Sequence, residues 1–153
     1  VDIARWAPSW VNYQIARYTL VDDEEIIKEI AEHGVNGFVY NIDTLRTAKG
    51  VAVLSFVKGK SGTYDKEYIT SKGNSWEVFD AGIACQTFCL AAHAKGVGTC
   101  IMGVIDDKSI AKIVNLPEDE TVAALIVYGY EDGEHAAPNK RKDVDEIMRF
   151  VDR

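Results

Sequence analysis

The chain has 153 residues, of which 47% are hydrophobic, and carries a formal net charge of −7. This length and composition predict one globular domain over residues 1–153, and the acidic balance argues against a nucleic-acid partner, which would need a basic face. The sequence contains neither an apolar run of membrane-spanning length nor a signal peptide, and its three cysteines form no CxxC pair. We therefore expect a cytoplasmic protein that does not bind a membrane.

Residues 1–14 predict the end of a helix followed by a polar loop. No capping residue precedes the helical segment 1–6, and Pro8 prevents that helix from continuing. The loop is rich in amide, hydroxyl and aromatic groups, which come from Ser9, Trp10, Asn12, Tyr13 and Gln14. Such residues usually serve a turn, but paired amides also match the donor and acceptor edge of a heterocycle.

Strand and helix patterns alternate through the next part of the chain. They predict, in order, a strand at 15–21, a helix opened by Asp22 and closed by Gly34, a β-branched central strand at 51–57 and a mobile surface connection at 58–72. Residues 35–48 are ambiguous between helix and strand, because aromatic side chains flank a polar segment at Asn41-Ile42-Asp43.

The stretch from 74 to 104 is the part around which the rest is organised. Apolar residues cover almost every face of its predicted helix, which indicates a buried helix. Asn74 and Glu77 have capping-box spacing, and Gly96 supplies a helix stop. Residues 98–103 then predict a short buried strand that ends in Gly103, where backbone can lie close against a flat group.

The C-terminal part predicts a short helix capped by Asp106, an apolar strand at 121–130 and a terminal helix that begins at Asp143. The terminal helix has an apolar stripe at Val144, Ile147, Met148 and Val151. A basic cluster, Lys140-Arg141-Lys142, precedes it and serves either as a solvated loop or as a phosphate contact. Without a strict βαβ rhythm, the elements favour an α+β sheet packed by helices.

Cys85, Cys89 and His93 are spaced four residues apart and share one face of the central helix. A metal or thiol site is one interpretation. Buried thiols that act as small core hydrophobes are the other, and the one we favour, because zinc sites usually have short CxxC spacing and a fourth ligand. The sequence also shows no nucleophile with a neighbouring base, and its glycines do not form a dinucleotide-binding GxGxxG pattern.

Several segments, taken in this order, resemble the FMN-dependent nitroreductase family, and the resemblance covers nearly the whole chain. Its strongest part is Ala4-Arg5-Trp6-Ala7-Pro8-Ser9-Trp10-Val11-Asn12-Tyr13-Gln14, which follows the family pattern A-x-x-A-P-S-x-x-N-x-Q. The other parts are Phe79-Asp80-Ala81-Gly82-Ile83-Ala84 running to Leu90-Ala91-Ala92, Gly96-Val97-Gly98-Thr99, Leu116-Pro117-Glu118 before residues 121–129, and Arg141 before the last helix.

The resemblance implies a nitroreductase-like α+β fold, in which a mostly antiparallel sheet has helices on both faces and the long central helix is buried. It also implies a homodimer that holds two FMN molecules at the subunit interface. It implies that Pro8, Ser9, Trp10 and Asn12 contact the flavin of the partner subunit and that Gln14 supports their loop. Asn41 would hydrogen-bond the flavin ring, and the backbone N–H groups of Met102 and Gly103 would donate to its N5 and O4 atoms. Lys140 and Arg141 would contact the phosphate.

The activity implied by the resemblance is an NAD(P)H-dependent flavin oxidoreductase that passes hydride to a nitroaromatic, quinone or similar acceptor by ping-pong kinetics. No side chain is then required as a catalytic acid or base. The alternatives are a degenerate relative that binds flavin or another ligand weakly as a sensor or binding module, and a metal or thiol site at Cys85, Cys89 and His93.

One family feature has no counterpart in this sequence. Members carry an arginine-rich segment, R-R-S-x-R, before the first helix, and it supplies most of the cations for the phosphate. Either that segment and the family's N-terminal helix lie upstream of Val1, which we favour because the chain starts within a predicted helix, or flavin binding is weakened.

Overall fold

The computed structural model describes residues 1–133 and 137–151. Its strands are β1 (Ala16–Val21), β2 (Gly50–Val57), β3 (Thr63–Tyr64), β4 (Glu67–Tyr68), β5 (Gly98–Met102) and β6 (Glu120–Gly129). Its helices are α1 (Glu24–His33), α2 (Val39–Thr47), α3 (Ser75–His93), α4 (Asp107–Ile113) and α5 (Val144–Ile147), and short 3-10 turns form at Ala4–Trp6 and Trp10–Asn12.

Four strands form one sheet in the order β1-β2-β6-β5, and every neighbouring pair is antiparallel. The interior position of β2 explains its composition. Residues from Gly50 to Phe56 are all buried, because helices cover both faces of the sheet and leave no solvated side for polar residues. The predicted central strand is therefore confirmed.

Alternate residues of β2 enter two separate cores, as the two-residue period of a strand requires. Val51 and Val53 belong to the core that β2 forms with α1, α2 and α4, and Ala52 and Leu54 belong to the core beneath α3. The second core also takes Phe56 of the same strand. Helices thus lie on both faces of an antiparallel sheet, which confirms the predicted α+β class.

Two helices begin at carboxylate caps that satisfy free N–H groups of the first turn. Asp106 accepts from the N–H groups of Lys108 and Ser109, as predicted. The first helix is capped by Asp23 and not by Asp22, since the Asp23 side chain accepts from Glu25 and Ile26.

The capping box predicted for the central helix is wrong. Asn74 makes no side-chain cap hydrogen bond, and Glu77 points to a different segment. Its carboxylate accepts from the backbone N–H groups of Gly59 and Lys60 and from the hydroxyl of Tyr68. A residue expected to satisfy its own helix therefore fixes the neighbouring loop.

In the single chain, α3 is buried on one side only. Ala81, Ala84 and Phe88 face the sheet and are less than a tenth exposed. On the opposite side Val78 is 61% exposed and Phe79 is 58% exposed, although both are apolar. The helix was predicted to be buried on all sides. Within one chain, only its sheet-facing side is buried.

Two further predictions need correction. Residues 58–72, predicted as a mobile surface connection, contain the β3–β4 hairpin, with Ser61 and Thr63 buried. The terminal helix forms as α5 but spans four residues, and Val144 and Ile147 of its apolar stripe are exposed. Residues 35–48, left open by the sequence, contain α2. In the two described ranges, no helix combines the length and the apolar character needed to cross a membrane.

Candidate functional site

The strand end at Met102 and Gly103 combines a buried anchor with an open backbone. The Met102 side chain is 3% exposed and packs in the core beneath α1 and α4, whereas Gly103 is exposed. A Cβ at Gly103 would meet no described atom within 4 Å, and its φ lies outside the left-handed region. Neither crowding nor backbone strain within this chain therefore calls for glycine here. The strand itself is at an edge, because β5 pairs in the described sheet with β6 alone.

The residues after Gly103 are held by two asparagine side chains. Asn41 donates from Nδ2 to the carbonyl oxygen of Val104 at 3.0 Å, and Asn36 donates to that of Ile105 at 2.9 Å. The Asp106 N–H adds a hydrogen bond to the Gly34 carbonyl at 2.8 Å. These three contacts join the 34–41 segment to the 104–106 segment and so restrain the strand end that precedes them.

The loop at residues 8–14 is attached to α3 through Trp10. The Trp10 N–H donates to Oδ2 of Asp80 at 2.9 Å, and its indole Nε1 donates to the Thr63 carbonyl at 3.2 Å. The Trp10 ring also lies 4.9 Å from the ring of Trp76, measured between centroids. Asp80 is 3% exposed and also accepts from the Ser61 hydroxyl. One buried carboxylate therefore joins this loop to the loop that carries the β3–β4 hairpin.

The tip of the same loop has an unusual backbone. Val11, Asn12 and Gln14 have φ values of 45°, 58° and 50°, a region that non-glycine residues seldom adopt. Local hydrogen bonds stabilise this shape, since Ser9 Oγ accepts from the Gln14 N–H at 2.8 Å and Gln14 Nε2 donates to the Asn12 carbonyl at 3.4 Å. The Asn12 side chain is exposed and bonds to none of the described residues.

The structure brings these residues into two groups and does not bring the groups together. Asn41 lies with Met102 and Gly103 at the β5 edge of the sheet, whereas residues 8–14 lead into β1 at the opposite edge. Two strands separate those edges, so the groups are about three strand spacings apart, or roughly 14 Å. Both lie toward the same end of the sheet, because β5 ends and β1 begins in that direction.

Within the described residues, Lys140 and Arg141 form neither a hydrogen bond nor an ion pair with either group. They are exposed in the 137–151 range, where Arg141 Nη1 contacts the Asn139 carbonyl at 3.5 Å.

The Cys85, Cys89 and His93 face does not form a metal centre. The described ranges contain no group of three His, Cys, Asp or Glu side chains able to hold a metal ion. Cys85 is buried. Its burial is the main cause that raises the pKa of its thiol to about 11, and the neighbouring Cys89 thiol is the second cause. A thiol with that pKa is almost fully protonated near neutral pH and is therefore a poor nucleophile or ligand.

Sequence reasoning assigned no role to Asn36 and Asp80 and a wrong one to Glu77. Glu77 and Asp80 could have been noticed because they are two carboxylates, three residues apart, in an otherwise apolar helix. A buried charge in such a helix needs a partner. Asn36 carried a weaker signal, since Asn before Gly is typical of a turn. Their partners lie 9 to 70 residues away in the chain, so periodicity could not identify them.

Comparison with known proteins decides which family has this arrangement. The family model described as Nitroreductase family matches residues 1–130, most of the chain. The chain belongs to the nitroreductase family. A nitroreductase relative in Bacillus subtilis (strain 168), MhqN, is provisionally named an NAD(P)H nitroreductase and is 24% identical over 177 aligned positions, which cover 98% of this chain and 84% of MhqN.

Solved structures of nitroreductases show the same fold. A nitroreductase family protein from Streptococcus pneumoniae TIGR4 superposes with a TM-score of 0.81 at 20% identity, covering 98% of this chain and 86% of that one. The structure titled FMN-dependent nitroreductase from Clostridium difficile R20291 superposes with a TM-score of 0.74 at 25% identity, covering 97% and 82%. The predicted nitroreductase-like fold is therefore confirmed.

Proposed function

We propose that this nitroreductase family chain is an FMN-dependent oxidoreductase that uses NAD(P)H to reduce nitroaromatic, quinone or similar acceptors. Three facts support the proposal: the family itself, the name of the relative MhqN, and the FMN dependence stated for the Clostridium difficile nitroreductase. The observation that carries it is the exposed β5 strand end, which fits the edge of a flat cofactor.

The residues at this strand end fit a flavin. Gly103 leaves open space where any other residue would place a Cβ, so a planar ring could approach the backbone closely. The backbone N–H groups of Met102 and Gly103 are suited to donate to flavin N5 and O4, and the Asn41 and Asn36 contacts restrain the segment that follows. Asn41 donates one N–H of its amide to Val104, and its amide oxygen is available to accept a hydrogen bond from a ligand.

When bound, FMN supplies the hydride chemistry, and the protein supplies binding, orientation and electrostatics. Backbone N–H groups held at fixed positions stabilise negative charge on a reduced ring. This division of roles agrees with a sequence that contains no paired nucleophile and base. Because reductant and acceptor would use the same ring face in turn, we expect ping-pong kinetics.

We further propose that the active form is a homodimer. The two groups of site residues lie at opposite edges of the sheet of one chain, so a second copy is needed to place Pro8, Ser9 and Asn12 beside the strand end of the first. The exposed apolar side of α3, which includes Val78 and Phe79, supplies a surface for that contact. Burying such side chains stabilises an assembly by about 25 cal/mol per Å² of apolar area.

Lys140 and Arg141 are the proposed phosphate contacts. Arg141 presents a planar donor fork that matches a phosphate, and within the described residues its side chain makes only a long hydrogen bond to the Asn139 carbonyl. Both residues are exposed, so they are free to meet a phosphate in the dimer.

An FMN titration tests the proposal. We expect the protein to acquire the paired absorption bands of a flavoprotein and to oxidise NADH or NADPH when a quinone is present. Protein that stays colourless after addition of FMN would overturn the flavin assignment. Protein that binds FMN but does not oxidise either nucleotide would instead support a sensor or binding module.

A further inference from the structure

A cavity of about 490 Å³ adjoins the polar loop at the β1 edge of the sheet. Its lining includes Tyr13 of that loop and three basic residues, Arg17, Lys60 and Lys66, with Asp65 as the one acidic residue among those that line it. The chain as a whole has 24 acidic and 17 basic residues. The charge of this cavity is therefore opposite in sign to that of the protein.

The cations of the cavity are available to a ligand. In the described ranges the ammonium groups of Lys60 and Lys66 make neither a hydrogen bond nor an ion pair. Arg17 Nη1 donates to the carbonyls of Gln14 and Ala16 at 2.8 and 2.9 Å. Those two contacts orient the guanidinium and leave its other N–H groups open.

The segment that carries Lys60 is well anchored. The carboxylate of Glu77 accepts from the Gly59 and Lys60 N–H groups, and the Thr63 hydroxyl donates to the Lys60 carbonyl at 2.6 Å. Glu77 is thus occupied by backbone donors and faces the loop. The cations are presented by an ordered loop and hairpin, which lowers the entropy cost of binding an anion.

We infer that this cavity is a subsite for the phosphate groups of the dinucleotide reductant. The inference rests on the proposed function, in which residues 8–14 lie against the flavin of the partner subunit. Tyr13 belongs to that loop and also lines the cavity. A dinucleotide whose nicotinamide stacks on the flavin ring would therefore have its phosphate groups near the cavity. Quinone and nitroaromatic acceptors carry no phosphate, whereas NADH has a pyrophosphate and NADPH has a 2′-phosphate in addition. Arg and Lys together provide a fork and point charges suited to these groups.

The experiment compares the double variant Lys60→Gln/Lys66→Gln with a control, Lys28→Gln/Lys112→Gln, which removes the same charge from α1 and α4. Both are assayed as FMN-loaded protein with NADH, NADPH and the uncharged 1-benzyl-1,4-dihydronicotinamide. We expect kcat/KM for the dinucleotides to fall about tenfold in the cavity variant, as loss of charge-assisted contacts predicts. The uncharged reductant and the control should be unaffected.

Calorimetric titration of NAD⁺ and NADP⁺ gives a readout independent of turnover. Weaker binding of both would place the pyrophosphate in the cavity, and weaker binding of NADP⁺ alone would place the 2′-phosphate there. The inference would be overturned if the cavity variant and the control variant bound NAD⁺ and NADP⁺ equally well. It would also be overturned if the cavity variant lost as much rate with the uncharged reductant as with the dinucleotides. Failure of the wild type to oxidise even the uncharged reductant would count against the proposed function itself.

Discussion

The side chain of Asn41 donates a hydrogen bond of 3.0 Å to the carbonyl oxygen of Val104, a residue 63 positions further along the chain. This bond joins α2 to the end of β5 and lies beside the backbone proposed to meet the flavin. Asn41 is 9% exposed, so its amide group needs a hydrogen-bond partner within the protein.

The first prediction concerns that bond. Asn41→Asp keeps the shape of the side chain but replaces its donor with a second acceptor, so the Val104 carbonyl loses its partner and faces a negative charge. We expect the free energy of unfolding to fall by about 1–3 kcal/mol, measured by urea denaturation, and FMN to bind more weakly. Thr44→Ala on the same helix removes an exposed local hydrogen bond, so it should change stability by less than about 0.5 kcal/mol. Equal effects of the two substitutions would contradict the role given to Asn41.

The second prediction concerns Asp80 and the polar loop. Asp80→Asn weakens the acceptor that holds the Trp10 N–H and the Ser61 hydroxyl. We expect faster amide hydrogen exchange at Trp10 and a loss of about 1–3 kcal/mol in unfolding free energy, because charge-assisted bonds are the stronger kind. Ser61→Ala, which keeps the carboxylate, should leave the Trp10 exchange rate much closer to that of the wild type. Unchanged exchange in Asp80→Asn would contradict the role given to Asp80, since the loop would then be held by the Trp10 contacts with Thr63 and Trp76.

The third prediction concerns the exposed side of α3. Val78→Asp places a charge in the proposed subunit interface, and we expect the dimer dissociation constant to rise by at least about thirtyfold, equivalent to about 2 kcal/mol. Light scattering after size exclusion measures the change, and circular dichroism should show that the subunit stays folded, because Val78 is 61% exposed in the single chain. Lys28→Gln on α1 is the charge control, because it lowers the net charge by the same one unit. A Val78→Asp variant that remains fully dimeric would exclude this surface as the interface.

The fourth prediction concerns stability at alkaline pH. Burial raises the pKa of the Cys85 thiol from 9.0 to about 11. Between those values the folded chain keeps a proton that the unfolded chain releases, so the free energy of unfolding falls as the pH rises from about 9 to about 11. Cys85→Ala should show a shallower fall over that range.

A thiol assay at pH 8 gives an independent check of the same environment. The exposed Cys100 should react with a disulfide reagent at once, and the buried Cys85 should react only on unfolding. Rapid modification of Cys85 in the folded protein would contradict the raised pKa.

Local patterns in the sequence were enough to predict most elements of the fold. The β-branched run at 51–57 predicted the central strand β2, and the carboxylate of Asp106 predicted the start of α4. These features depend on residues within a few positions of one another, so period and capping chemistry identify them directly. The motif at residues 4–14 indicated the family together with the other matching segments, because each segment is weak singly and their order and spacing are specific.

The tertiary structure decided which residues meet. The bonds from Asp80 to Trp10 and from Asn36 to Ile105 join residues 70 and 69 positions apart, and no local pattern encodes such a pairing. It was likewise the fold that left one apolar side of α3 uncovered and set the polar loop and the β5 strand end at opposite edges of the sheet. The sequence by itself determined most of the elements and the family, because these follow from neighbouring residues. The division of the site between two edges follows from strand order, which depends on how the whole chain packs.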